Sequence, residues 1–406
     1  MSDMKTILIV NPGSTSLKFR LFVFPEKHVL ATGKVERIGE AESDYHFTIL
    51  EKVHKGRTAV PDYRAAVNLV LEFIVGQESA LPDLADLSAV GFKAVHAGRE
   101  GLGPGAVFLT DRVMEEMKRF ETVSPLHNRL YREVIECFQK LAPDVPRAAL
   151  FETAFHSTIS GEKTTCGIPH EWMEKHGIQR YGFHGASHRY IAMRAGEALG
   201  WSGARMNSAR LISCHLGGSS SLCAIHGGKS VDTTMEFSPQ SGIIHSTRCE
   251  TIDPFIILFA QQELGLKPEE ISRILCEESG LKGVSGISGD IRDLREWSAL
   301  GSPRAILALR MFHHQVRRQV AAMAASLEGL DALIFTGGIG ENSDIERMAI
   351  CEGLAWLGVQ LDEERNRRTV KIEREISLAG SPVTVWVIPT NEELVVASEV
   401  YLLLSS

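Results

Sequence analysis

The chain has 406 residues, 44% hydrophobic and 23% charged, with 43 Lys and Arg against 51 Asp and Glu for a formal net charge of −8. That length accommodates two domains, each with its own core, and the composition is that of a globular chain and not of a disordered one. The mildly acidic balance excludes a dedicated nucleic-acid binder, whose footprint is a basic excess, although a local basic pocket for a small anion escapes a net-charge argument. Seven cysteines without a CxxC pair fit a reducing compartment and give no zinc spacing. No leader of basic, apolar and small residues opens the sequence. The longest uninterrupted apolar run, near 255–260, falls far short of the roughly 20 residues of a membrane span, so a cytoplasmic protein with no membrane partner is expected.

In chain order, Ile7-Leu8-Ile9-Val10 predicts a strand running into Asn11-Pro12-Gly13-Ser14-Thr15-Ser16. Leu17-Lys18-Phe19-Arg20-Leu21-Phe22 then alternates as a second strand, so a β-hairpin is expected with a Gly/Ser turn over 11–16. Apolar residues at spacings of 3–4 predict helices over 63–74, 112–120, 129–141 and 188–199. Between them, Val90-Gly91-Phe92-Lys93-Ala94-Val95-His96 is a buried-type strand ending at Ala97-Gly98, and Ala148-Ala149-Leu150-Phe151 is a short one. Halfway along, the opening repeats: Leu211-Ile212-Ser213-Cys214-His215-Leu216, the turn Gly217-Gly218-Ser219-Ser220-Ser221, then Leu222-Cys223-Ala224-Ile225. Helices over 254–264, 268–277 and 303–327 follow, and Leu333-Ile334-Phe335-Thr336 runs into Gly337-Gly338-Ile339-Gly340 as a second glycine-ended strand. Strands alternating with helices indicate α/β architecture with mixed sheets. Two echoes about half a chain apart predict two related domains facing one cleft.

A Gly/Ser turn exposes several backbone N–H groups and adds hydroxyls without bulk, which makes an anion-binding concavity. One such turn from each domain would grip a polyphosphate from two sides. Lys18 either adds a cation there or is a solvated strand-edge lysine. Gly227-Gly228-Lys229-Ser230 resembles the end of a P-loop, but Cys223 stands where its first glycine belongs and the residues after it read as strand, so a hairpin turn is expected. Gly338-Ile339-Gly340, with Asp362 about twenty residues on, is a dinucleotide-binding candidate. Ser343 occupies its third-glycine position, however, and close backbone approach to an adenosine fits equally well.

Catalytic residue types cluster at Ser124-Pro125-Leu126-His127-Asn128, Glu152-Thr153-Ala154-Phe155-His156, Arg180 to His188, Ser246-Thr247-Arg248 and Thr390-Asn391-Glu392-Glu393-Leu394. Phosphoryl transfer needs oxygen ligands for magnesium, cations for the equatorial oxygens and alignment of the reactants. Glu152 and Glu392 suit the metal; Arg248, Lys93, His127 and His184 suit the charge. Neither HExxH nor GxSxG occurs, which removes the zinc-protease and serine-hydrolase readings.

Taken together these segments resemble the acetate kinase family of acyl-phosphate-forming kinases, in the sugar kinase, Hsp70 and actin superfamily (ASKHA, ribonuclease H-like). The resemblance keeps its motif order over nearly the whole chain. Its pieces are Asn11 to Lys18, Pro125-Leu126-His127-Asn128, Arg180 to His188, Gly228 to Thr233, Ser285 to Leu294, Phe335 to Asn342 and Thr390 to Leu394. It implies two duplicated mixed-sheet α/β domains about a central cleft, 1–156 completed by 395–406 and a nucleotide-binding 157–394. It also implies a homodimer and reversible in-line transfer between ATP and acetate, giving acetyl phosphate and ADP with Mg2+ or Mn2+. By the same resemblance Asn11 and Glu392 organise the metal, and Glu152, His184, Arg248 and His127 are catalytic. Lys93, Val95, Leu126, Phe183 and Pro239 would receive the carboxylate and its methyl group. Lys18, His215, Gly217, Gly218, Ser219, Asp290, Arg292, Gly338, Ile339, Gly340, Glu341 and Asn342 would hold the nucleotide.

The chain departs from the family at Lys93 (usually Arg), Glu152 (usually Asp), Gly217-Gly218-Ser219 (usually Gly-Asn-Gly) and the neighbours of Arg248. Alternatives are a kinase for propionate or another short acylate, an ATP-binding homologue without turnover, and a nicotinamide dehydrogenase.

Overall fold

A computed structural model describes residues 4–77, 79–125, 127–368 and 372–406. Two compact units divide the chain: Met1–Ser157 with Asn391–Ser406, and Thr158–Thr390. A boundary at 394/395 would fall inside the last helix, Glu392–Ser405, so the chain returns to the first unit earlier than expected. Asn391 is the cap of that helix, accepting from the Leu394 N–H, and Val395, Val396, Ala397 and Val400 are buried below it. Cap and buried stripe belong to one helix and move together.

In the first unit, the described residues form an eight-stranded sheet in the order β5-β4-β3-β2-β1-β6-β8-β7. Its strands are β1 (Lys5–Gly13), β2 (Ser16–Phe24), β3 (His28–Glu36), β4 (Ser43–Ile49), β5 (Lys52–Thr58), β6 (Ala89–Phe92), β7 (Val107–Phe108) and β8 (Arg147–Ala149). Ile7, Leu8, Ile9 and Val10 of β1 are all fully buried. Successive strand residues face opposite sides, so both faces of β1 are covered; the helices Asn128–Leu141 and Glu392–Ser405 both pack on it. β1 continues as a paired strand through Asn11, Pro12 and Gly13, with Asn11 opposite Lys18 and Gly13 opposite Ser16. The turn expected over 11–16 therefore shrinks to Ser14-Thr15, because ladder pairing claims the backbone on either side.

In the second unit a six-stranded sheet has the order β11-β10-β9-β12-β14-β13. These strands are β9 (Arg210–His215), β10 (Ser221–His226), β11 (Lys229–Thr233), β12 (Ala332–Thr336), β13 (Arg374–Glu375) and β14 (Thr384–Val387). The run β11-β10-β9-β12-β14 repeats β3-β2-β1-β6-β8, an antiparallel three-strand meander followed by two parallel strands. The echo in the sequence is thus a duplicated sheet. The two opening turns are nevertheless unequal, since His215 pairs with Ser221 and leaves residues 216–220 as a longer loop. Gly227 and Gly228 form the two-residue β10–β11 turn with φ of 55° and 78°, the positive values a type I′ hairpin requires, and Lys229 begins a strand, not the helix of a phosphate loop. Ser302 caps the long helix Pro303–Ser326, Pro303 opens it, and Leu309, Phe312, Val316 and Val320 lie in the core with Ile212, Leu333 and Phe335.

The helices expected from periodicity are present with ends shifted by a few residues. One is divided, Pro268–Arg273 passing into a π-turn at Ile274–Glu278. Among the described residues no helix is long and apolar enough to cross a membrane.

Candidate active site

In the first unit β1, β6 and β8 lie side by side and parallel in direction, and their carboxyl ends deliver the polar residues together. Beyond β6 and β8 the pairing continues, with the Glu152 N–H donating to the Ala94 carbonyl at 2.9 Å, so Lys93 and Glu152 leave neighbouring strands at one level. Lys93 Nζ reaches Glu152 Oε1 at 3.0 Å and also bonds Glu392 in the first turn of the C-terminal helix. Burial opposes the Lys93 charge, but Glu152 and Glu392 outweigh it and hold the ammonium well above the usual lysine range. One cation thus bridges two carboxylates, of which Glu152 is the more buried, its side chain only 6% exposed.

Asn11, at the end of β1, donates from Nδ2 to Glu393 Oε1 at 3.0 Å, and Arg20 Nε pairs with Glu393 Oε2 at 3.1 Å. Asn11 is therefore tied to Glu393, while Glu392 is tied to Lys93. Asn11 Oδ1 is buried without a partner. A lone amide oxygen on a side chain bonded to the Glu393 carboxylate suits a hard divalent cation that keeps several waters. Among the described residues no three of His, Cys, Asp and Glu converge as a metal-holding group. Lys18 is exposed on the Asn11 face of the β1–β2 ladder. His127 stands at the N-terminus of the helix Asn128–Leu141, Val95 is buried, and Leu126 lies outside the described residues.

In the second unit His184 sits immediately before the helix Gly185–Ala198 with φ of 55°, a left-handed conformation rare for a residue with a side chain and a common mark of functional constraint. Its Nδ1 lies 2.8 Å from Ser221 Oγ, as does Nε2 of His188. The hydroxyl has one proton to give, so at most one of the two imidazoles presents it a lone pair, and at least one donates N–H to it. His184 also stacks on His215 with centroids 4.3 Å apart, and His215 Nδ1 is 2.8 Å from Ser187 Oγ. Phe183, just before, is buried.

The longer second loop is bolted down from the far side. The Ser220 N–H donates to His245 Nδ1 at 3.1 Å, and His245 Nε2 lies 3.2 Å from the Ser241 carbonyl. These partners fix His245 as the neutral Nε2–H tautomer, and burial, helped by nearby Arg248, pushes its pKa down to about 3. An unfolded histidine takes up its proton near pH 6.5. Stability from this neutral imidazole is therefore complete above about pH 6.5 and declines as the pH falls below it. Between pH 6.5 and 5 the loss reaches about 2 kcal/mol. Urea unfolding of wild type and His245→Gln across that range checks this: the wild-type slope should exceed the variant's by about one proton, and equal slopes would disprove it.

Arg248 is half-buried and donates from Nη1 to the Pro239 carbonyl at 3.0 Å and weakly to Gln240 Oε1 at 3.5 Å. Among the described residues it has no carboxylate partner. Burial pushes its pKa down to about 10, so it stays cationic at neutral pH. In the same unit Ser219 Oγ is buried without a partner among the described residues. Both are donors.

A cavity of about 930 Å3 in the second unit joins three of the segments expected to hold nucleotide: Gly217-Gly218, the stretch 289–292 and the stretch 338–342. Gly337 makes the junction possible. Its φ is 76°, and a β-carbon there would come within 2.8 Å of the Leu216 carbonyl oxygen. That same carbonyl accepts from the Ile339 N–H at 2.8 Å, holding the helix Gly337–Asn342 against the loop. Asp290, Arg292, Gly338, Ile339 and Asn342 line the cavity, whereas His215, Ser219, Gly340 and Glu341 do not. Glu341 turns inward to accept from the Gly337 and Thr390 N–H groups at 2.9 and 3.1 Å, a stapling role that its residue type does not reveal.

Arg295, unforeseen in the sequence, joins the wall through its 2.6 Å bond to fully buried Glu346, which also bonds His313. Burial pushes the Glu346 carboxyl up, but the His313 and Arg295 bonds outweigh it and hold it below the usual range. A β-carbon at Gly218 would meet only Ser246 Oγ at an ordinary 3.5 Å, so nothing in the packing demands the missing asparagine's replacement by glycine. A separate cavity of about 640 Å3 holds Lys163, Arg205 and Arg210, but its cations are engaged by Asp331 and by the Val231 and Glu328 carbonyls.

The profile of the Acetokinase family matches residues 6–398. The chain is 40% identical to an acetate kinase of Geobacillus kaustophilus over 397 residues, 98% of each chain. It is 41% identical to a propionate kinase of Citrobacter rodentium, covering 97% of this chain and 96% of that one. The crystal structure of Porphyromonas gingivalis acetate kinase superposes with a TM-score of 0.85 at 32% identity, over 98% of this chain and 100% of the other. Motif order, duplicated sheet and sequence identity agree over nearly the whole length, and the chain belongs to the acetokinase family.

Proposed function

We propose that the protein is an acetate-kinase-type phosphotransferase, moving the γ-phosphoryl group reversibly between ATP and acetate or a close short-chain carboxylate. Arg248 carries the reading: a half-buried guanidinium bonded, among the described residues, only to neutral oxygens, with the His184–Ser221–His188 cluster in the same unit, is a site awaiting an anion. A carboxylate oxygen attacks the γ-phosphorus, the bond to the β,γ-bridging oxygen breaks, and ADP leaves. The acceptor is already ionised, so no proton need move and no general base is required. The work of the residues is positioning and charge stabilisation.

In this reading Lys93 meets the carboxylate, with Val95, Phe183 and Pro239 taking its apolar end, and Arg248 and His184 stabilise the transferring group. Asn11 Oδ1 with Glu392 or Glu393 would hold Mg2+, which supplies charge neutralisation on the nucleotide phosphates. The glycine-lined cavity takes the nucleotide. Propionate is the nearest second substrate, since a propionate kinase is as similar to the chain as an acetate kinase is.

Hydroxylamine trapping with ATP, magnesium and C1–C5 carboxylates tests the activity. A hydroxamate strongest with acetate or propionate is expected; none with any acid would leave an ATP-binding homologue without turnover. We also propose a homodimer. The helix Phe255–Gln262 buries none of its residues and exposes Phe255, Ile256, Leu258 and Phe259. Sedimentation at 44.7 kDa alone would remove this proposal.

A further inference from the structure

Tyr131 lies one helical turn beyond His127, and its backbone N–H bonds the His127 carbonyl at 3.0 Å. Side chains on a helix lean toward its N-terminus, so the Tyr131 ring covers the turn that begins at His127. That turn is fixed. Asn128 Nδ2 donates to the carbonyls of His96 and Met117, both at 2.8 Å, and Asn128 Oδ1 accepts from the His96 N–H at 3.2 Å. The helix start is thereby locked to the segment that carries Lys93 and Val95.

Tyr131 is only 6% exposed, yet among the described residues its hydroxyl makes no hydrogen bond. A buried tyrosine normally finds a partner for its hydroxyl, and one that does not calls for an explanation. The oxygen is not completely sealed from solvent, which leaves its open side free for a partner. The charges it faces are Lys93 first, then Glu152, Glu392 and Glu393. Burial and these carboxylates hold the phenol well above its usual range, outweighing Lys93, so it remains a neutral donor at any working pH.

Lys93 has three N–H donors and directs two of them to Glu152 and Glu392. An incoming carboxylate has two oxygens and finds one ammonium donor left, where a guanidinium would have offered a fork. We propose that Tyr131 supplies the missing donor, its hydroxyl binding the second oxygen of the substrate carboxylate whose first oxygen meets Lys93. The proposal rests on the carboxylate-kinase reading and assigns Tyr131 as a substrate-binding and specificity-determining residue.

Tyr131→Phe removes the hydroxyl and keeps the ring. The KM for the carboxylate should rise about tenfold, the loss of one hydrogen bond to a charged acceptor, while the KM for ATP and the melting temperature stay within error. A rise of at least fivefold confined to the carboxylate supports the assignment. A carboxylate KM within fivefold of wild type overturns it, and so does an equal loss for both substrates with a lowered melting temperature, the signature of a purely structural ring. Failure of the underlying reading is distinguishable, because wild type itself would then form no hydroxamate with any acid; that result overturns both.

Discussion

Arg248→Ala should lower kcat for acyl-phosphate formation about a thousandfold, the scale on which an arginine stabilises a phosphoryl-transfer transition state. The fold should survive, because among the described residues Arg248 donates only to the Pro239 carbonyl and weakly to Gln240, and its removal strands no carboxylate there. Most of the loss belongs in kcat and little in the KM of either substrate, since charge on the equatorial oxygens is greatest in transit. Arg248→Lys should recover only a small part: an ammonium keeps the charge but cannot hold the Pro239 carbonyl and span two phosphoryl oxygens at once. Steady-state kinetics with far-ultraviolet circular dichroism checks all three points. A loss below about tenfold in kcat would remove Arg248 from the chemistry.

Lys93→Met is the second large effect, and it falls on stability as well as activity. Removing the ammonium leaves Glu152 and Glu392 facing each other, the first nearly sealed from water. Breaking a buried charge group in this way costs about 3–5 kcal/mol, here toward the lower end because Glu392 keeps partial solvent access. The sign of the pH dependence follows. Without Lys93 one carboxyl of the pair gains a proton more readily in the folded state than in the unfolded one, so lowering the pH through the carboxylate range should shrink the deficit. Urea unfolding of wild type and variant at pH 7 and pH 5 would show it; a deficit that grows on acidification would refute it.

The same geometry sharpens the paired departure at 93 and 152. Glutamate reaches one methylene further than aspartate toward an ammonium that cannot fork, and the 3.0 Å contact shows that the reach is used. Lys93→Arg and Glu152→Asp should each lower kcat/KM and recover together; strictly additive losses would count against compensation.

Much of this was legible in the residues, for identifiable reasons. The duplicated sheet announces itself because hairpins and glycine-ended strands are local patterns, and β11-β10-β9-β12-β14 repeats β3-β2-β1-β6-β8 as the two echoes implied. The glycine-lined cavity follows the same logic, since backbone approach selects glycine at positions that can be read one by one. The roles of neighbouring polar residues were less legible. Glu392 and Glu393 are adjacent, yet one reaches Lys93 at a separation of 299 residues and the other Asn11 at 382. Nothing in the spacing says which does which, because helix phase and strand level decide it together. Arg20, His245, Arg295 and Glu346 likewise carry no local signal, because their partners come from other elements, and Tyr131 looks in isolation like any core aromatic.

The sequence by itself determined the α/β class, the duplication, the β10–β11 hairpin at Gly227-Gly228 and the family, since these depend on periodicity, backbone freedom at glycine and ordered motifs. Only the tertiary structure decided that the first Gly/Ser turn is a paired strand with a two-residue tip while the second is a longer loop bolted to His245. It alone decided that Lys93 is shared between two carboxylates and that the Tyr131 hydroxyl is left over beside them. Pairing at a distance sets those outcomes, and charge and hydrogen-bond satisfaction are properties of the folded neighbourhood, not of any residue's place in the chain.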